Sequence, residues 1–344
     1  MTDFKTLNST QIAKLAGVSR STVSKVINNY PDIPEKTKDK VRSVIAEYRY
    51  TPNASAQVLR GKPQAVIALY VYAGVDEVNQ DSLCGLSSPY VMGVISNFVV
   101  AANNRGHRLM IELLRHEEDE QEIEHRVREH FDSKSIAGAV FLGLPETVSF
   151  IDNLTDEDFP IAVIDREVND HGMALNIFTD DRYGGEMATE HLIANGFRHL
   201  LFIGGDMSKR SARKRAEGYV QAMKKHGLTP ELLSGDFTEQ CGTAAAERIL
   251  ARDSKPDAVV CASDIVAYGL IRTLQKLDND YLHKMGIIGF DGSVHNDFQS
   301  PPLSSVKVDF AAMARATISS LLNPDSETDR VIPVTLEPRA SSLR

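Results

Sequence analysis

The side chains able to do chemistry fall into two groups, and neither is arranged for catalysis. No GxSxG, HExxH, Walker or GxGxxG pattern occurs in the 344 residues. Ser211-Ala-Arg-Lys214 satisfies an SxxK spacing but lacks the companion motifs that would make the serine a nucleophile. His116, His125 and His130 lie in or beside a charged helical stretch at spacings of nine and five. Metal pairs on a helix sit at i and i+4, so these histidines read as a solvated face. No enzyme, cofactor or metal is expected.

The first useful group is Asp165-Arg166, Ser263-Asp264 and Asp291, polar residues that each follow a short apolar run. Carboxylates and guanidinium groups just past strand ends make charge-assisted hydrogen bonds to ligand hydroxyls. Tyr72, Tyr90, Leu142 and Phe178 are candidates for apolar walls, and with no Trp in the chain ring stacking falls to Tyr or Phe. Structural alternatives stand beside these roles: Asp181 and Asp264 as caps of the helices that follow, and Asp165–Arg166 as an ion pair.

The second group lies near the N-terminus. Arg20, Ser21 and Lys25 occupy the exposed start of a short helix, where an arginine can pair bidentately with guanine. Ser19, Thr22, Ser24, Asn28 and the nearby lysines suit phosphate contacts, which position a protein on DNA without reading sequence.

The elements that position this second group are legible. Asn8 and Gln11 have capping-box spacing, and Ile12, Ala13, Leu15 and Ala16 supply an apolar helical face. Gly17 ends that helix, because the tight turn needs positive φ. Ser19 caps the next helix, with Val23, Val26 and Ile27 inward. Ala13 four residues before Gly17, with Val23 and Val26 six and nine after it, is helix-turn-helix spacing. A third helix over about 35–48 turns Val41, Val44 and Ile45 inward. A plain helical bundle, or a head that docks protein, is the alternative.

Charge separates this head from the rest. Residues 1–62 hold 11 Lys+Arg against 5 Asp+Glu, a balance of +6, whereas the whole chain stands at −9. A basic head on an acidic body points to a polyanionic partner for the head alone. No apolar run reaches membrane-spanning length and no signal-peptide pattern opens the chain, so a soluble cytoplasmic protein is expected. Cys84, Cys241 and Cys261 form no CxxC pair, and neither disulfides nor a zinc site are expected.

Residues 51–62 read as a linker whose Asn53–Arg60 portion has helix-forming composition but only about two turns, too short to hold alone in water. Beyond them the body reads as repeated βα units: strands over 65–72, 108–113, 138–142 and 160–164, then a restart at 174–178. Strands 200–204, 258–261 and 285–290 follow, then strand 304–308, helix 310–322 and strand 331–336. Two parallel-sheet halves imply a cleft between them. The long loop 73–87 is either a lid on that cleft or a surface insertion.

Two motifs bring a family into view. Thr10-Gln-Ile-Ala-Lys-Leu-Ala-Gly-Val-Ser-Arg-Ser-Thr-Val-Ser-Lys-Val-Ile-Asn28 resembles the DNA-binding head of the lactose/galactose repressor family almost position for position. Tyr50-Thr-Pro-Asn-Ala-Ser-Ala-Gln-Val-Leu-Arg-Gly61 resembles that family's hinge helix. The resemblance adds Thr10 to the DNA-binding set. It also implies that Asn53, Ala56 and Leu59 form a hinge in which paired leucines of a dimer wedge into the minor groove. In Ser211–Tyr219, Arg215 matches the family's effector-contacting arginine. The implied effector site is therefore Tyr90, Asp165, Arg166, Arg215, Ser263, Asp264 and Asp291, with Ser263 standing where the family often has Asn.

The fold class implied is an all-α helix-turn-helix head (1–50), a hinge (51–62) and an α/β sensor of the periplasmic-binding-protein type (63–344). Its N-terminal subdomain is expected at about 63–165 and 308–325, its C-terminal one at about 166–307 and 326–344. The family's tetramerising tail is missing after 333–338, so a homodimer is expected. The function implied is a transcriptional regulator, most simply a repressor, on a palindromic operator. Its DNA affinity changes with a small effector, expected to be a sugar or sugar derivative. Release and enforcement of repression by the effector are both compatible with this arrangement.

Overall fold

The computed structural model describes residues 7–27, 30–48, 50, 64–73, 88–166, 174–323 and 330–344. It divides the chain into two units, residues 1–64 with 133–135 and the remainder. Asn28, the hinge residues Asn53, Ala56 and Leu59, and nearly all of loop 73–87 lie outside the described residues.

In the first unit the helices are α1 (Ser9–Ala16), α2 (Arg20–Ile27) and α3 (Glu35–Glu47). Asn8 Oδ1 accepts from the amides of Thr10 and Gln11, and Gln11 Oε1 accepts from Asn8 N at 2.8 Å, completing the capping box. Gly17 closes α1 at φ 59°, the left-handed conformation the turn demands. Ile12, Ala13, Ala16, Val23, Val26 and Val41 form the core, with Val44 and Ile45 packed at its edge. Leu15 departs from the expected face and is 45% exposed. Three helices of this length enclose only one narrow seam, already filled from α1 by Ile12, Ala13 and Ala16.

The second unit holds two six-stranded sheets. The first contains β1 (Val66–Ala73), β2 (Arg108–Arg115), β3 (Gly138–Leu142), β4 (Ile161–Ile164), β5 (Ala174–Thr179) and β11 (Val331–Ile332), in the order β11-β5-β4-β3-β1-β2. The second contains β6 (Leu200–Ile203), β7 (Glu231–Leu233), β8 (Ala258–Cys261), β9 (Gly286–Asp291), β10 (Ser304–Val308) and β12 (Val334–Glu337), ordered β12-β10-β9-β8-β6-β7. All pairings are parallel except β10 with β12. β3, β4, β6, β8 and β9 are buried along their whole length, which is why they read as unbroken apolar runs.

Two boundaries differ from the sequence reading. The strand at 174–179 does not restart a second sheet; Ala174–Ile177 pair in register with Ile161–Ile164. The first subdomain therefore keeps this strand, and the chain crosses over only after Thr179. The single strand expected at 331–336 is two: Val331–Ile332 pairs with β5 and Val334–Glu337 with β10. Pro333 separates them, having no amide hydrogen to carry one ladder across the gap. β7, three residues long at a sheet edge, has too little pattern to be seen in sequence.

The helices of the first subdomain are α4 (Pro89–Asn104), α5 (Glu120–Asp132), α6 (Phe150–Thr155) and α12 (Phe310–Leu322). Those of the second are α7 (Asp181–Ala194), α8 (Arg210–Lys225), α9 (Glu239–Leu250), α10 (Asp264–Leu277) and α11 (Asn279–Leu282). α7 and α8 touch backbone to backbone. A Cβ on Gly185 would lie 2.2 Å from Arg215 O, and one on Gly218 2.0 Å from Arg182 O. This reciprocal contact sets the depth of Arg215 against the start of α7. Among the described residues no helix is long and apolar enough to cross a membrane, and no group of His, Cys, Asp and Glu could hold a metal ion.

Candidate nucleic-acid interface and effector cleft

On the head, Thr10, Ser19, Arg20 and Ser21 are exposed, and Thr22, Ser24 and Lys25 partly so. α2 is held at its start by Ser19, whose Oγ accepts from Thr22 N at 3.0 Å and shares hydroxyl contacts with Ser21 and Thr22. Arg20 Nε donates to Ser9 Oγ at 3.1 Å, orienting the guanidinium along the end of α2 that a groove-binding helix presents. Lys25 pairs with Asp32 at 2.5 Å, and this hydrogen bond holds the Asp32 carboxyl below its ordinary range. Lys25 thus already has a partner within the head.

The cleft is built on Arg215, which is 4% exposed. Its Nε donates to Asp181 Oδ1 at 2.9 Å, and its Nη1 to Ala262 O at 2.7 Å and Asp291 Oδ1 at 3.4 Å. The guanidinium lies 3.6 Å from the centroid of the Phe290 ring, and the Phe237 ring lies 5.9 Å away. Asp165 closes the opposite side: its Oδ2 accepts from Ser211 N at 3.2 Å, and Arg210 Nη1 is 3.8 Å from Oδ1. Arg210 also pairs with Asp181 Oδ2 at 3.3 Å.

Two of the three described non-glycine residues with positive φ are Asp165 (65°) and Asp291 (114°), each at a strand end in this cleft. Such conformations cost about 1–3 kcal/mol and persist where surrounding structure over-determines them, as at ligand sites. Burial, together with the nearby Asp181 charge, raises the Asp165 carboxyl to about 6. Burial holds Asp291 well above the ordinary range despite the opposing pull of Arg215. Asp165 Oδ1 and Ser263 Oγ are buried with no hydrogen-bond partner among the described residues. Tyr90 packs edge-on to Phe310 at 5.4 Å, and burial, with the charges of Asp165 and Asp291, pushes its phenol up.

The geometry thus gathers Tyr90, Asp165, Arg215, Ser263 and Asp291 and sets two expected residues apart. Arg166 forms no ion pair with Asp165; it reaches Asp152 Oδ2 at 3.2 Å and Pro145 O at 3.2 Å, tying the end of β4 to the loop after β3. Asp264 is spent on its own subdomain, accepting from Ser305 Oγ at 2.7 Å and from Ser293 N and Asn296 Nδ2 at 2.8 Å each. Both carboxylate oxygens are occupied, which leaves a ligand nothing to displace cheaply.

Asp181 does not cap its helix as the sequence suggests; Asp180 holds that place, accepting from Tyr183 N. In an Asp-Asp pair only one side chain can be the N-cap, and that arithmetic was the available signal for the second. Phe290 and Phe237 were also missed; Phe290 directly precedes Asp291, whereas nothing local marks Phe237. Arg210 had no local signal, because its reach depends on two strand ends from the other subdomain.

Comparison with known proteins agrees with this two-part architecture. Residues 10–53 match the family described as bacterial regulatory proteins, lacI family, and residues 189–342 match a periplasmic binding protein-like domain. The chain is 28% identical over 322 residues to the HTH-type transcriptional repressor PurR of Haemophilus influenzae, covering 92% of this chain and 91% of that protein. It is 28% identical over 332 residues to the HTH-type transcriptional regulator CelR of Thermobifida fusca, covering 95% and 92%. Among solved structures, the lac repressor dimer bound to operator and the anti-inducer ONPF superposes with a TM-score of 0.79 at 22% identity, over 99% of this chain and 100% of that one. The CelR–cellobiose complex superposes at 0.68 with 24% identity, over 97% and 99%. The likenesses to these two structures establish the fold; the matches of both segments and of the full-length relatives carry the kinship. The chain thus joins a lacI-family DNA-binding head to a periplasmic binding protein-like sensor, the make-up of a DNA-binding transcriptional regulator.

Proposed function

We propose that this regulator represses transcription as a homodimer on a palindromic operator and that a small polyhydroxylated effector, held between the two sensor subdomains, sets its DNA affinity. The observation that carries the effector reading is the pair of buried oxygens with no hydrogen-bond partner among the described residues, Asp165 Oδ1 and Ser263 Oγ, in the cleft that holds Arg215. Leaving such atoms without partners costs about 1–3 kcal/mol each, and ligand hydroxyls would recover that cost. A solved relative whose name states a cellobiose complex supports a sugar as the class.

Two heads related by a two-fold axis would read two half-sites of matching symmetry. Arg20 would read base edges, with Ser19, Thr22 and the lysines on phosphates. Movement of one subdomain against the other would alter the spacing of the paired hinges at Asn53–Leu59, and a marginal helix there converts a small shift into folding or melting.

Two measurements test this function. Titration of an operator-length duplex at several salt concentrations should show affinity falling steeply with salt, and a flat salt response would remove the DNA reading. A thermal-shift screen of neutral sugars and sugar derivatives should find a ligand that raises the melting temperature, because it binds only the native cleft. That gain should disappear in Ser263→Ala, and a gain of the same size in the variant would place the ligand elsewhere.

A further inference from the structure

The segment between α2 and α3 carries an acidic residue to the side of the head assigned to base contacts. Lys25 stands one helical turn after Ser21 on α2, on the side away from the buried Val23 and Val26. Its Nζ donates to Asp32 Oδ2 at 2.5 Å. Asp32 is held there by its neighbours. Tyr30 N donates to Lys25 O at 3.0 Å, and Ile33 packs on the core of the head. Pro31 and Pro34 restrict the backbone on either side. The carboxylate is placed by the fold, and the flexible lysine comes to it.

Stability does not account for this pair. The two side chains are 45% and 51% exposed, and an ion pair in that setting contributes little. On a face that meets DNA the carboxylate also repels phosphates. The hydrogen bond from Lys25, with the charge of Lys38 assisting, lowers the Asp32 carboxyl, so it meets DNA ionised and can only accept. An acceptor beside an ammonium is a mixed donor–acceptor pair. In the major groove a G·C pair is its complement, because guanine O6 and N7 accept while cytosine N4 donates beside O6. Adenine also sets a donor beside an acceptor, but it offers the ammonium N7 alone.

We propose that Lys25 and Asp32 act together as one reader of a G·C pair, the ammonium donating to guanine and the carboxylate accepting from cytosine N4, which makes Asp32 a specificity-determining residue. The proposal rests on α2 being the helix that enters the major groove. An ammonium alone is a point charge that serves a phosphate or a guanine alike. With the carboxylate at its flank, phosphates are turned away and a base edge that supplies both acceptors and a donor is favoured. Lys25 therefore specifies sequence only while Asp32 is present.

The test compares what the full chain selects with and without the carboxylate. The unaltered chain and Asp32→Ala each select from a randomised duplex pool, and affinities are then measured for the selected duplex and its single-base-pair variants at one salt concentration. In each half-site the unaltered chain should require G·C at one position whose replacement costs about tenfold or more, and D32A should lose that preference alone. A change of affinity by the same factor on every duplex, or lost preference at a position that is not G·C, overturns the proposal. Lys25→Met should relax the same position, and K25M/D32A should relax it no further; separate positions for the two residues also overturn it. If D32A does not fold, N4-methylcytosine is placed in turn at each selected cytosine and titrated with the unaltered chain. One placement per half-site should weaken binding about tenfold, and none doing so overturns the proposal. If the unaltered chain selects no sequence, the DNA reading falls and this proposal with it, whereas one sequence selected equally by D32A removes the proposal alone.

Discussion

Arg215→Met should destabilise the sensor strongly, and with a pH dependence of definite sign. Methionine keeps unbranched bulk against Phe290 but forfeits the hydrogen bonds to Asp181, Ala262 O and Asp291 and the stack at 3.6 Å. Arg215 and both carboxylates are buried, so water cannot substitute. Breaking a buried ion pair from one side costs about 3–5 kcal/mol, because an uncompensated charge stays behind. Asp181 retains Arg210 at 3.3 Å, which places the expected loss near the lower end, about 3 kcal/mol. For a unit of this size that is roughly 6–12 °C of melting temperature. Burial already holds the Asp291 carboxyl well above its ordinary range and Arg215 opposes that rise. Removing the arginine therefore raises it further, and the native variant takes up a proton that the unfolded chain does not. A raised carboxyl contributes stability below its unfolded value and loses it as pH rises through the folded one, so the deficit grows as pH rises through the Asp291 value and shrinks on acidification. Calorimetric melts across a pH series read this directly, and Asp291→Asn in the R215M background should recover part of the loss. A deficit below about 1 kcal/mol, or one independent of pH, refutes the assignment of Arg215 as the buried charge centre. Loss of effector response in an Arg215 variant therefore has to be measured well below its melting temperature.

Ser263→Ala should leave stability unchanged or raise it by up to about 1 kcal/mol, since a buried hydroxyl without a partner is removed, while effector affinity falls; destabilisation in denaturant melts would contradict this. Asp165, raised to about 6, takes up its proton in the native chain before the unfolded one does. Acidification from about pH 7 to 5 should therefore stabilise the protein, and Asp165→Asn should flatten that profile by at most about 1.4 kcal/mol per pH unit; superimposable profiles exclude the raised carboxyl. Gly17→Ala forces a side chain into φ 59° beside Lys40 Nζ and should cost about 1–2 kcal/mol of head stability, read by circular dichroism melts. Leu59→Ala should weaken binding to an operator more than to a random duplex, and an equal loss on both denies the hinge leucine its wedge role.

Much of the head was legible because its determinants are local. Asn8 with Gln11, Gly17, Ser19 and the spacing of Val23 and Val26 act within a few residues of chain, so the capping box and left-handed turn follow from sequence alone. Leu15 was misplaced because helical periodicity gives a face, whereas a three-helix seam has room for only part of it. In the sensor, buried parallel strands announce themselves as apolar runs, and most were found at their true places. Their membership in one sheet or the other was not. Ala174–Thr179 joins the first sheet through pairing with β4, and Pro333 hands the chain between sheets, both long-range choices that no window of sequence contains.

The cleft shows the same division. Sequence alone placed Asp165, Ser263 and Asp291 at strand ends, and the family motif supplied Arg215. Tertiary structure decided which of the polar candidates face one another. It turned Arg166 toward Asp152 and Asp264 into its own subdomain, and it brought Asp181 and Arg210 into the centre. The reason is physical: a buried charge is placed by its partners, and here those partners arrive from strands and helices far apart in the chain.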